Sequence, residues 1–243
     1  IHIGAYGRGV KDETCDLTGL CRRILDETAI ERLRIGSLEG IEVTDALIEM
    51  IASDERMAKH LHLPLQSGCD KTLSAMRRPY DTEQFREMMR RIRGKVPNIA
   101  ITTDLMVGFP GETDEDFKES LVFCNDIAFS AMHIFKYSMR SGTPAAAMPD
   151  QIDPQIKERR AKQMADVAQK NKLDYERRFV GQTLRILVEE QTKDGLWTGH
   201  SSNYLLVTFP GENIRSGDFV DVKITSAERN RLLGEIETHL EEE

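Results

Sequence analysis

Ile101–Thr113, ITTDLMVGFPGET, constrains this chain more than any other stretch. Ile-Thr-Thr-Asp-Leu-Met-Val is β-branched and apolar, which reads as a buried strand that stops at Gly108, Pro110 and Gly111. Thr113 then heads an acidic turn, Asp114-Glu115-Asp116, suited to the positive end of a helix. A strand running through a glycine-rich turn into a helix is where α/β proteins place their ligands. No Lys follows the glycines, so the turn is not a P-loop, and three carboxylates at the helix mouth repel phosphate. Asp104 places a carboxylate inside an apolar strand, a costly position unless it is hydrogen-bonded.

The same alternation extends over residues 1 to about 137. Ile1–Gly4 reads as a strand already in progress, without an initiating Met, so an N-terminal part is expected to precede it. Strands are also predicted at Arg32–Ser37, His60–Leu65, Ile101–Val107 and Ala131–Tyr137. Helices are predicted at Leu17–Thr28, Val43–Ala52, Lys71–Met76, Glu83–Arg93 and Asp114–Ile127. Strands separated by helices imply right-handed crossovers and a parallel sheet, read here as an open or partial (β/α) barrel. A Gly-, Pro- and Ala-rich loop, Ser141–Gln151, leads to Asp153-Pro154 and a long polar helix reaching about Arg178. Beyond Gly181 the helical period disappears, and Thr183–Glu190, Trp197–Gly199, Tyr204–Phe209 and Phe219–Ser226 read as a small all-β barrel. The expected domains are therefore 1–178 and 179–243.

Composition narrows the partners. The net charge of −8 gives no overall attraction to nucleic acid or anionic membrane, so RNA binding would need a local basic patch. No apolar run approaches the roughly 20 residues of a spanning helix. Cys15, Cys21, Cys69 and Cys124 are scattered without C-x-x-C spacing, which argues against a disulfide framework or zinc site and for reduced thiols in a cytoplasmic protein. His60 and His62 share one strand face, but no third ligand stands at useful spacing in sequence, so hydrogen-bonded interior histidines are the expectation. Arg77-Arg78 with Tyr80 offers a clamp for a carboxylate or phosphate. Met88-Met89 reads as core packing, and Lys157, Arg159, Arg160 and Lys162 as a solvated helix face.

The strand ends, from Gly4–Gly7 through Ser37–Glu39, Gln66–Gly68 and Gly108–Glu112 to Tyr137–Arg140, are mostly polar or glycine. At these loops the chain resembles the radical S-adenosylmethionine methylthiotransferases. The matching runs are IHIGAYG (Ile1–Gly7), RLRIGSLEG (Arg32–Gly40), HLHLPLQSGCDKTLSAMRRPY (His60–Tyr80), TTDLMVGFPGET (Thr102–Thr113) and HIFKYSMRSGTPAAAMPDQ (His133–Gln151). Ser37-Leu38-Glu39 is most similar to the branch that acts on threonylcarbamoyladenosine at position 37 of tRNA. The terminal β module resembles a TRAM domain, thought to hold RNA.

The resemblance implies a partial radical SAM barrel lacking its first strand, with S-adenosylmethionine lying across the strand tops. It implies that Ser37, Gln66, Asp104, Phe135 and Tyr137 line the cofactor site, with Arg78 and Arg140 near substrate or the methionyl carboxylate. The implied reaction is radical methylthiolation at C2 of the adenine. The family's 4Fe–4S clusters need a C-x-x-x-C-x-x-C run that is absent here, so this stretch alone is expected to be inactive, with no catalytic or metal residue of its own. The alternatives are the same chemistry on isopentenyladenosine or a ribosomal protein, and a non-catalytic RNA-binding scaffold. An excess of acidic residues after Arg178 keeps a protein substrate in view.

Overall fold

A computed structural model describes residues 3–10, 15–229 and 231–237. The first part contains α1 (Leu17–Glu27), α2 (Asp45–Ser53), β1 (His60–His62), α3 (Asp70–Ala75), α4 (Thr82–Lys95), β2 (Ala100–Val107), α5 (Asp114–Ile127) and β3 (Ala131–Lys136). The long helix α6 (Pro154–Arg177) follows. β4 (Thr183–Gln191), β5 (Trp197–Ser201), β6 (Leu206–Phe209), β7 (Phe219–Glu228) and β8 (Arg231–Ile236) complete the chain.

Side-chain caps fix where the helices start. Asp16 accepts from Gly19 N at 2.7 Å ahead of α1, and Asp81 with Gln84 forms a reciprocal capping box ahead of α4. Thr113 and Asp116 form another ahead of α5, so part of the acidic first turn is spent on the helix's own N–H groups. Pro154 opens α6 at a position where a missing N–H costs nothing.

β1, β2 and β3 pair in parallel, in that order. On β2, Ile101, Thr103 and Leu105 are fully buried against the helices, while Thr102, Asp104 and Met106 alternate onto the opposite, open face. Thr103 is tolerated in the core because its hydroxyl donates to Leu63 O at 2.7 Å and accepts from Leu65 N at 2.9 Å. Beneath the sheet, Phe85 packs edge-on against Phe123 and Phe129, and Met88 and Met89 are buried beside them, as their pattern implied.

The ladder is shorter than the sequence suggested. Ile1 and His2 lie outside the described residues, and Ile3–Ala5 forms a 3₁₀ turn closed by Tyr6 N to Ile3 O. No described strand lies beside it to complete a ladder. Arg32–Ser37 forms no ladder; it makes isolated parallel bridges, Leu33–Met57 ahead of β1 and Ser37–His62 at the end of β1. The ladder of β1 stops at His62 because Pro64 has no N–H to donate, and the chain rejoins β2 at Gln66–Leu105.

The five terminal strands close into a barrel in the order β4-β5-β6-β8-β7. Ile186, Val188, Val207, Phe209, Val222, Ile224 and Leu232 fill its interior. β8, which carries no strong strand signal, closes the barrel by pairing antiparallel to β7 and parallel to β6.

This barrel docks on the N-terminal end of the parallel sheet. Arg32 donates to His200 O at 2.7 Å and to Arg185 O at 2.8 Å, and its guanidinium lies over Phe219. Lys59 N donates to Ser202 Oγ at 3.2 Å. Tyr175 of α6 donates to Asn98 O at 2.7 Å and accepts from Asn203 Nδ2 at 3.1 Å. Tyr204, at φ 59°, has Arg34 over one face and a stacked His200 ring 4.3 Å away, with His60 at 4.7 Å. Burial, reinforced by the Arg34 guanidinium, pulls the His60 imidazole down to about 3, so it is neutral. A cavity of about 470 Å³ lies between the two parts.

Candidate functional site

The turn after β2 is tied down rather than open to an anion. Gly108 adopts φ +72°, and a Cβ there would stand 2.4 Å from Cγ of Lys157. Glu112 is 6% exposed and folds back to accept from Gly108 N. Arg160 of α6, 3% exposed, donates to both Glu112 O and Glu112 Oε2, at 3.1 and 3.2 Å, and to Asp114 at 2.7 Å. Burial pushes the Glu112 carboxyl above its usual range, and the Arg160 guanidinium opposes that shift. The reading of Lys157–Lys162 as a solvated face is therefore corrected at two positions. Arg160 is a buried partner of the turn, and Lys157 donates to Tyr137 O at 3.0 Å and lies over its ring.

The residues implied for the cofactor site occupy distinct places. Ser37 is exposed and bridges His62. Gln66 is half-buried at φ 70°, its backbone exchanging hydrogen bonds with Asp104 O and Met106 N. A non-glycine residue in this region carries a strain cost of order 1–3 kcal/mol. Asp104 lies on the open face, its Oδ1 3.5 Å from His62 Nε2. Phe135, on the same face of β3, is 52% exposed. By register Asp104 and Phe135 share the open face, and Ser37 pairs with His62 beside them, whereas Gln66 pairs with Leu105 of the buried face. Tyr137 is buried, edge-on to Phe109 with Lys157 behind it. Arg78 is held by Glu39 at 3.3 Å and by the Tyr80 hydroxyl at 3.0 Å, so the clamp suggested by Arg77-Arg78 already holds a carboxylate of its own chain. Arg140 is exposed in the loop after β3.

The open face also brings together residues that sequence spacing did not connect. His62, Asp104 and His133 meet across three neighbouring strands. Only the register shows this, because Asp104 pairs with His133 and His62 with Thr102.

The open face carries the exposed ring of Phe135 and the polar groups of Ser37 and Asp104. A 4Fe–4S cluster does not fit. Cys21, Cys69 and Cys124 are buried, and among the described residues the four thiols form no ligand group. Burial pushes the Cys124 thiol up to about 12, which makes it unreactive. With iodoacetamide under native conditions, Cys15 is expected to alkylate first and Cys124 only on unfolding, with peptide mass spectrometry as the readout. Labelling of all four at one rate would contradict this packing.

Residues 16–124 match the radical SAM superfamily, and residues 177–236 match the TRAM domain. The threonylcarbamoyladenosine tRNA methylthiotransferase MtaB of Bacillus subtilis is 36% identical over 233 residues, 93% of this chain and 51% of that protein. The tRNA-2-methylthio-N(6)-dimethylallyladenosine synthase of Alcanivorax borkumensis is 37% identical over 237 residues, 96% of this chain and 53% of the synthase. Among solved structures, the coproporphyrinogen III oxidase HemN of Escherichia coli, a radical SAM enzyme, aligns with a TM-score of 0.52 at 13% identity. It covers 81% of this chain and 51% of its own, a likeness of fold alone. No helix among the described residues is long and apolar enough to cross a membrane. The chain spans about half the length of the curated relatives it matches. The chain thus carries a radical SAM region followed by a TRAM domain, and along nearly all of its own residues it is similar to tRNA methylthiotransferases.

Proposed function

We propose that this chain serves a cytoplasmic enzyme that adds a methylthio group to C2 of threonylcarbamoyladenosine 37 in tRNA. The observation that carries the methylthiotransferase part of the reading is the 36% identity to Bacillus subtilis MtaB, maintained over 93% of this chain. Relatives named for the dimethylallyladenosine reaction are comparably similar, so overall identity does not choose the branch. Ser37-Leu38-Glu39 favours the threonylcarbamoyl branch, with Glu39 fixed by Arg78. The open face adds support. It carries imidazole, hydroxyl and carboxylate groups, which suit a polar threonylcarbamoyl substituent better than an isoprenoid one.

In this reading, Ser37, Gln66, Asp104 and Phe135 hold S-adenosylmethionine, which supplies the family's radical chemistry. Tyr137 supports that surface from beneath, and Arg78 and Arg140 stand at its rim toward the substrate. The TRAM domain (with residues 179–243 as the proposed unit) holds the RNA. The chain has no cysteine set for the cluster, so by itself it is inactive in this reading.

Mass spectrometry of tRNA nucleosides from a strain lacking the full-length gene tests the assignment. Selective loss of the methylthio group from threonylcarbamoyladenosine is the expected result. Loss from the dimethylallyl nucleoside alone would move the chain to the other branch. Persistence of both would overturn the tRNA reading.

A further inference from the structure

His62 ends β1, Asp104 lies within β2, and His133 lies within β3. The side chains of all three stand on the open face. Nε2 of His62 is 3.5 Å from Oδ1 of Asp104, and the two imidazole rings are 5.9 Å apart between centroids. One donor atom from each residue lies within 4.8 Å of the other two, the one such group of His, Cys, Asp or Glu among the described residues. We infer that His62, Asp104 and His133 bind a divalent first-row transition-metal ion of the Zn²⁺ or Fe²⁺ class.

The donor set suits that class. Two imidazoles and one carboxylate favour zinc or iron over calcium or magnesium, which take oxygen ligands. Bonds of about 2.1 Å in a tetrahedral site put neighbouring donor atoms roughly 3.4 Å apart. His62 and Asp104 already stand at that separation. His133 must move closer by an ångström or so, and its exposed side chain is free to rotate. His62 is also held as a metal-bound histidine usually is. Its Nδ1 is 2.9 Å from Thr102 Oγ1, which leaves Nε2 directed at Asp104. Thr102 is in turn fixed by His60 Nε2 at 3.1 Å, from a side chain that is buried. Three protein ligands leave coordination positions open, and both histidines line the cavity of about 470 Å³. The site is distinct from a 4Fe–4S centre, which requires cysteines. Coordination through Oδ1 also leaves the second oxygen of Asp104 available to a bound cofactor.

The test is titration of the tag-free 243-residue chain, stripped with chelator, with Co²⁺ followed by visible absorption and with Zn²⁺ followed by calorimetry. One ion per chain is expected. His133→Ala, at an exposed position, should retain the wild-type circular dichroism and melting curve and lose at least about tenfold in affinity. Asp104→Asn should do the same. Thr102→Val should weaken binding about ten- to a hundredfold through loss of the hydrogen bond to His62. His200→Ala, whose imidazole is paired with Glu189 elsewhere, should bind as the wild type does. Absence of saturable binding in the wild-type chain, or unchanged affinity in folded His133→Ala, would overturn the inference. Neither result depends on the proposed tRNA reaction.

Discussion

Replacing Glu112 with Ala is expected to destabilise the chain by about 3–5 kcal/mol, measured by urea unfolding at neutral pH. The reason is what the substitution leaves behind. Arg160 is 3% exposed, and its guanidinium faces Glu112, the Glu112 carbonyl and Asp114. Without the Glu112 carboxylate, a buried cation keeps only one exposed carboxylate and one carbonyl, and Gly108 N loses its acceptor. Both losses fall in the turn that places the end of β2. Glu112→Gln keeps an acceptor for Gly108 N and should cost less. Pairing Glu112→Leu with Arg160→Met should recover most of the stability, because two apolar side chains impose no charge-burial penalty. A loss of under about 1 kcal/mol for Glu112→Ala would equate this pair with an exposed salt bridge and contradict the packing.

Tyr175→Ala is expected to cost a similar amount, about 3–5 kcal/mol, and to split unfolding into two transitions. Tyr175 is 4% exposed, packs against Phe179 within the core of the terminal barrel, and bonds Asn98 at the start of β2. It therefore couples the two parts of the chain. Tyr175→Phe removes the hydroxyl alone and should cost about 1–3 kcal/mol, since Asn98 O and Asn203 Nδ2 lose a partner. Scanning calorimetry distinguishes the outcomes. The wild type should melt with equal calorimetric and van't Hoff enthalpies, and Tyr175→Ala should not. A single sharp transition in Tyr175→Ala would show that the remaining contacts, Arg32 chief among them, are enough to keep the parts coupled.

Local chemistry explains what was legible in the sequence. α5 runs from Asp114 to Ile127 as read, because Thr113 and Asp116 form a cap that depends on residues three apart. The β-branched and apolar run Ile101–Val107 declared a buried strand. Longer-range partners were not legible. Arg160 looked like one more charge on a polar helix, since nothing near it in sequence points to Glu112. His62, Asp104 and His133 lie far apart along the chain, and only the strand register brings them together. The end of β1 was legible in principle. Pro64 cannot donate to a ladder, but its apolar neighbours Leu61, Leu63 and Leu65 masked that break. Tyr137 continues the alternation of β3 yet turns under Phe109 once the strand has ended.

The terminal barrel's seat on the N-terminal end of the sheet has a geometric consequence. β2 is eight residues long, so its two ends lie roughly 26 Å apart. The docked barrel stands at one end and the Gln66 and Gly108 loops at the other. Ser37, His62 and His133 nevertheless line the cavity whose far wall is Asn203, Tyr204 and Leu205, so the barrel forms a floor to the open face rather than a separate lobe.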